Sequence, residues 1–236
     1  EGQVDPTPGW SLPDRARLEN CFRCAIGGLY MAYQPIVSWS AQRVVGYESL
    51  VRSRERSLGN PGALFDAAAR LERSDELRRA IRTLSPQPFT ADDDTRLFLN
   101  VHLDDLAEDA LREERLLRMA DRVVLEITER ANLAALEDAA GRIAALRERG
   151  FAIAVDDLGA GYAGLSSFAT LEPDFAKLDM TLVRGIEGKP VKQRLVGGLL
   201  EACRDLGGRR VAEGDETVPE RDTLLELGCD LLQGYL

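Results

Sequence analysis

The chain has 236 residues, 30% of them charged and 44% hydrophobic, and carries a formal net charge of −10. That length suits one large α/β domain or two small ones. The negative charge argues against nonspecific binding of nucleic-acid polymers or acidic membranes, although a bound cation inverts the local sign for a phosphorylated substrate.

Residues 1–13 hold Pro6, Pro8, Gly9 and Pro13 and read as a tail or linker, followed by one domain over 14–236. The chain starts at Glu1 without Met and stops in a glycine-containing apolar run, so we expect a piece of something longer. Residues 14–27 form a short helix with Cys21 and Cys24 in CxxC spacing. No second CxxC or histidine pair completes a zinc site, and with Cys203 and Cys229 the four thiols make no disulfide framework. LYMAYQPIVS and RVVGYESLVRS follow as an antiparallel hairpin around Trp39 and Ser40, with Pro35 either ending the first strand or lying on an edge. Asn60-Pro61 is an N-cap with proline at the first helical position, and Leu64, Phe65, Ala68 and Leu71 give that helix its apolar face. A second helix turns Leu77, Ile81 and Leu84 inward.

From RLFLNVHL onward, strands and helices alternate. The helices are expected at 104–120, at 132–149, near 162–171, at 190–206 with Val191, Leu195, Leu199 and Leu206 inward, and at 219–227. The strands are RVVLEIT, FAIAV, DFAKLDMTLV, RRVAEG and CDLLQGYL. Eight strands mostly separated by helices in a chain of this size predict an α/β barrel. No segment is long and apolar enough to span a bilayer.

Polar residues close these strands: Glu48 and Arg52, Asn100, Glu126 and Glu129, Asp156 and Asp157, Lys177 and Asp179, Glu213 and Glu216, and Gln233. In a barrel the C-terminal strand ends converge on one mouth. Each residue alone has a bland reading as a cap, a solvated loop group or a simple ion pair. Together, five or more acids around one lysine, without clustered histidines, suit Mg²⁺ or Mn²⁺ better than Zn²⁺. Asp156 and Asp157 repel each other at a strand mouth, and a divalent cation relieves that repulsion. The lone His102 reads as structural. Gly159, Gly161 and Gly164 spell GxGxxG, but a pyrophosphate there would sit beside Asp156 and Asp157, so the glycines read as turn formers.

In order, QPIV, GYESLVR, the strand with Asn100, LEITE, DDLGAGYAGLSSF, PDFAKLD, AEGDET and QGY resemble the EAL-domain family of cyclic di-GMP phosphodiesterases, from about Leu29 to Leu236. The resemblance implies a modified TIM-type (β/α)8 barrel whose first strand is antiparallel. It implies metal ligands at Glu48, Asn100, Glu126, Asp156, Asp157, Glu213 and Glu216, with two Mg²⁺ or Mn²⁺ ions per site. Lys177 and Glu213 match catalytic residues, and Glu129 matches the residue that steadies the loop after Asp157. Arg52, Leu50, Asp179 and Gln233 match the substrate side of the site. The implied reaction is in-line attack of an activated water on cyclic di-GMP, giving linear pGpG. A cytoplasmic setting and a homodimer are implied as well. The alternative is a catalytically weak EAL domain that senses cyclic di-GMP or binds a protein partner. Four positions depart from the usual pattern: Ser49, Leu158, Ala160 and Asp215, the last with Arg210 as its candidate partner.

Overall fold

The computed structural model describes residues 12–90, 93–106, 111–128, 138–159 and 171–235. Its strands are β1 Leu29–Ser38, β2 Arg43–Ser53, β3 Arg96–Asn100, β4 Val123–Thr128, β5 Ala152–Leu158, β6 Phe175–Leu178, β7 Arg209–Glu213 and β8 Leu231–Gln233. The helices among the described residues are α1 Leu12–Gly27, α2 Pro61–Arg70, α3 Ser74–Leu84, α4 Glu114–Arg118, α5 Ala139–Glu148, α6 Met180–Val183, α7 Pro190–Asp205 and α8 Val218–Glu226.

The strands close into a barrel in sequence order. Neighbours from β2 to β8 pair in parallel, whereas β1 pairs antiparallel with β8, so the first strand runs against the other seven. Pro35 does not end β1, which continues to Ser38. The chain divides into two compact units. One holds residues up to Ala32 with Leu50–Leu84, and the other holds Tyr33–Ser49 with Ser85–Leu236.

In the smaller unit, Asn60 caps α2 by accepting from Gly62 N at 2.8 Å, with Pro61 following. Leu64, Ala67, Ala68 and Leu71 are buried, while Phe65, expected inward, is 44% exposed. Leu77 and Ile81 of α3 are buried as expected. Phe22 of α1 is fully buried, and the Arg73 guanidinium stands 4.9 Å from its ring centre. Cys21 and Cys24 are free thiols in α1, ahead of the first strand.

In the larger unit, one cluster plugs the barrel: Ile36, Val45, Phe98, Val124, Ala154, Phe175, Val211 and Leu231. Phe98 and Phe175 meet edge to face with centroids 5.1 Å apart. Gly46 of β2 makes room for this pair, since a Cβ there would lie 2.7 Å from Phe98 Cε2 and 2.9 Å from the Arg96 carbonyl oxygen. Gly46→Ala therefore overpacks a site whose neighbours are a ring and a backbone. We expect it to lower stability by about 1–3 kcal/mol, and a denaturant midpoint unchanged from wild type contradicts this packing.

Several elements differ from the sequence reading. The expected 104–120 helix is a 3-10 turn, Leu103–Leu106, and the short α4, with 107–110 outside the described residues. The expected strand 174–183 ends at Leu178, because Asp179 caps α6 through Thr181 N at 2.9 Å. Helix α7 buries Val196, Leu200 and Cys203, leaving Val191 83%, Leu195 55% and Leu206 66% exposed. Residues 132–137 of the expected 132–149 helix and 162–170 of the expected 162–171 helix lie outside the described residues.

Candidate active site

Side chains two apart on a strand share a face. In six strands, an apolar plug residue is followed two positions later by a polar one. The pairs are Phe98 and Asn100, Val124 and Glu126, Ala154 and Asp156, Phe175 and Lys177, Val211 and Glu213, and Leu231 and Gln233. The plug thus forms one layer, and the polar residues form the next layer toward the C-terminal mouth. In β1, which runs the other way, the equivalent residue comes two positions earlier. That is Gln34, whose Oε1 lies 3.4 Å from Gln233 Nε2. The sequence reading passed over Gln34, because the end of an antiparallel strand that faces the mouth is its beginning.

Lys177 is fully buried at the centre of this polar layer. Its Nζ lies 2.5 Å from Glu213 Oε1, 2.7 Å from Glu126 Oε1, 3.1 Å from Glu48 Oε2 and 3.2 Å from Asp156 Oδ1. An ammonium has three N–H groups, so it cannot satisfy four carboxylates. Buried Glu126 Oε1, Asp156 Oδ1 and Glu213 Oε1 have only this shared ammonium, and buried Glu126 Oε2 has no hydrogen bond. Glu48 is better served: it accepts from Asn100 Nδ2 at 2.8 Å, Gln233 Nε2 at 2.5 Å and Lys177 Nζ at 3.1 Å.

Titration follows this geometry. Burial pushes the Glu48 carboxyl up, but Lys177 and the three hydrogen bonds outweigh it and hold the group below its ordinary range. Glu126 has Lys177 but no amide donors; burial and then the Glu48 charge raise it well above that range, against Lys177. Burial works against the Lys177 ammonium, yet the charges of Glu126, Asp156, Glu48 and Glu213 keep it protonated far above the usual lysine value. Glu213 is pushed up to about 7, chiefly by burial and against Lys177.

Asp156 and Asp157 would point to opposite faces of a regular strand. The β5–β6 register shifts between Val155 and Leu158, and Asp157 adopts a left-handed φ of 57°. Aspartate tolerates that conformation better than most residues. The result is that one carboxylate oxygen from each of Asp156, Asp157 and Glu213 lies within 4.8 Å of the others.

Asp179 is occupied in capping α6. Glu216 forms a two-contact ion pair with Arg184. Leu50 and Arg52 follow Glu48 in β2 at two-residue steps, and Arg52 Nη1 donates to the Val51 carbonyl at 2.8 Å. Glu129 and Ala160 lie outside the described residues. Leu158 is 3% exposed and pairs with Leu178 in the β5–β6 ladder. Asp215 is 2% exposed under Gly234, and Arg210 is not its partner, since that guanidinium donates to the Gly228 carbonyl at 2.7 Å. The Ser49 hydroxyl lies within hydrogen-bond reach of the Phe98 carbonyl at 3.3 Å and of Ser85 Oγ at 3.1 Å, so the barrel accommodates it. His102 is exposed beside Asp104, away from this layer.

The raised Glu213 carries a pH signature. Below the ordinary carboxylate range the group is protonated in both the folded and the unfolded state and contributes nothing. Between that range and about 7 the folded protein keeps a proton that the unfolded chain has released, so stability falls as pH rises. Above 7 the loss is constant, roughly 3 kcal/mol by linkage. Thermal melts in EDTA between pH 5 and 8 should therefore show Glu213→Gln gaining on wild type as pH rises, and parallel curves contradict this.

The EAL domain family matches residues 17–236 of the chain. A cyclic di-GMP phosphodiesterase of Pseudomonas aeruginosa is 31% identical over 221 residues, covering 89% of this chain and 38% of that protein. The cyclic di-GMP phosphodiesterase RocR of the same organism is 29% identical over 223 residues, covering 86% of this chain and 55% of that protein. The chain therefore spans between two fifths and just over half the length of these relatives. Among solved structures, BlrP1 of Klebsiella pneumoniae in complex with calcium and cyclic di-GMP has a TM-score of 0.76 and 33% identity, covering 90% of this chain and 56% of that one. With its closed barrel, antiparallel first strand and family match over nearly the whole length, the chain belongs to the EAL domain family.

Proposed function

We propose that this domain hydrolyses cyclic di-GMP to linear pGpG with divalent metal, Mg²⁺ or Mn²⁺, two ions to a site. The observation that carries the reading is the ring of carboxylates around Lys177, with buried oxygens that the lysine cannot satisfy. Glu48, Glu126, Asp156, Asp157, Glu213 and Lys177 carry a formal charge of −4 when all are ionised, which two divalent ions balance. Hard cations take such oxygens.

In this reading Glu48, Asn100, Glu126 and Asp156 hold one ion. Asn100 fits because its amide nitrogen is engaged with Glu48, leaving its carbonyl oxygen for the cation. Asp156, Asp157 and Glu213 hold the second. When bound, such ions lower the pKa of a water and offset charge on the phosphoryl oxygens. Lys177 keeps the carboxylates gathered around one cation. Where Glu213 is not a ligand of the second ion, it is the group assigned to take the proton of the attacking water. The new P–O bond forms from that water, and the ribose 3′-oxygen leaves. Gln233 orients Glu48, while Arg52 and Leu50 are assigned to substrate. Asp179 and Glu216 are assigned to the rim, where their carboxylates are already occupied. Glu129 keeps its role from the family resemblance, steadying the loop after Asp157. That resemblance also supports a homodimer in the cytoplasm.

Hydrolysis in ¹⁸O-labelled water tests the chemistry. The reading expects one label in the 5′-phosphate of pGpG. A domain that only senses the nucleotide would bind cyclic di-GMP and return it intact and unlabelled.

A further inference from the structure

The β6–β7 ladder ends at Leu178↔Ala212, so Lys177 sits one rung before its end and Glu213 one residue past it, where no ladder pair holds the two strands together. What rejoins them is Glu220 on α8, which is only 4% exposed. Its Oε1 accepts from Gly185 N at 2.7 Å, just after α6 on the β6 side. Its Oε2 accepts from Glu216 N and Thr217 N, both at 3.1 Å, in the turn after β7. Thr217 Oγ1 accepts from Glu220 N in return, completing a capping box. These donors outweigh burial and hold the Glu220 carboxyl below its ordinary value.

Each turn is also fixed on its own side. Lys192 Nζ donates to the carbonyls of Thr181 and Arg184, both at 2.7 Å. Gly214 N donates to the Gln233 carbonyl at 2.8 Å, and Tyr235 N donates to the Asp215 carbonyl at 3.1 Å. Gly214 also packs against Met180, and a second polar link between the turns, Arg184 with Glu216, is 38% and 43% exposed and so is screened by solvent. Among the described residues, Glu220 is the buried hydrogen-bonded link.

We propose that Glu220 is a positioning residue that holds the turns after β6 and β7 together and so keeps Glu213 against Lys177. This rests on the metal-site reading above. The test uses Glu220→Gln, which keeps the shape but turns an amide NH2 toward backbone N–H groups. Arg115→Met is the matched control: Arg115 also makes three hydrogen bonds, to the carbonyls of Pro86, Gln87 and Phe89, remote from the site. Mn²⁺ binding is read by electron paramagnetic resonance, and kcat and KM are measured on cyclic di-GMP. We expect Glu220→Gln to weaken Mn²⁺ binding about 10-fold and to lower kcat about 10- to 100-fold, with KM within about 3-fold of wild type. Arg115→Met should lower the melting temperature and change none of these. Equal Mn²⁺ affinity in Glu220→Gln and wild type overturns the positioning role, whether or not the wild type turns over. Wild-type protein without Mn²⁺ affinity overturns the metal-site reading itself.

Discussion

Lys177→Met should cost the metal-free protein about 3–5 kcal/mol, the range seen when one partner of a buried ion pair is removed. The reason is geometric. The methionine is close to isosteric with the lysine stem but leaves Glu48, Glu126, Asp156 and Glu213 facing one another without a cation. Some of that cost is relieved by protonation, since Glu126 is already raised well above its ordinary range by burial and its neighbours. In EDTA the melting temperature should fall by about 10 °C or more. Mn²⁺ should restore more stability to Lys177→Met than it adds to wild type, because a divalent ion takes over the missing compensation. Hydrolysis should drop at least about 100-fold even with metal present. A variant as stable as wild type in EDTA would mean that the lysine is not what holds the carboxylates together.

The second large effect is expected at Glu48. This carboxylate accepts from Asn100, Gln233 and Lys177, and these bonds hold it in its charged form. Glu48→Ala removes a proposed metal ligand and strands two side-chain amides in the polar layer. Lys177 keeps three other carboxylates, so the protein should still fold. We expect pGpG formation to fall about 1,000-fold and Mn²⁺ affinity at least about 10-fold. Glu48→Gln separates charge from shape: it should be more stable than Glu48→Ala and equally inactive. An active Glu48→Gln enzyme contradicts a ligand role.

Much of this site was legible because the strand period is two. An apolar residue followed two positions later by a polar one, as in Val124 and Glu126 or Phe175 and Lys177, marks both the plug and the layer above it. The features that were not legible depend on breaks in that period. The bulge that lets Asp156 and Asp157 reach one place is a matter of register, which adjacent aspartates do not encode. Asp179 looks like a site residue two positions past Lys177, but the strand stops before it and its carboxylate caps α6. Helix α7 offers two apolar stripes at helical spacing, one through Val191 and Leu195 and one through Val196 and Leu200, and periodicity does not say which faces the sheet. Glu220 is not singled out in the sequence, because its bond to Gly185, 35 residues away, exists only in the fold.

The most direct measurement is product analysis by chromatography. The purified protein is incubated with cyclic di-GMP and Mn²⁺, beside an EDTA sample and Glu48→Ala. The account predicts pGpG from the wild type with metal and intact cyclic di-GMP in both controls. Intact cyclic di-GMP in all three samples, or equal pGpG with and without metal, would contradict it.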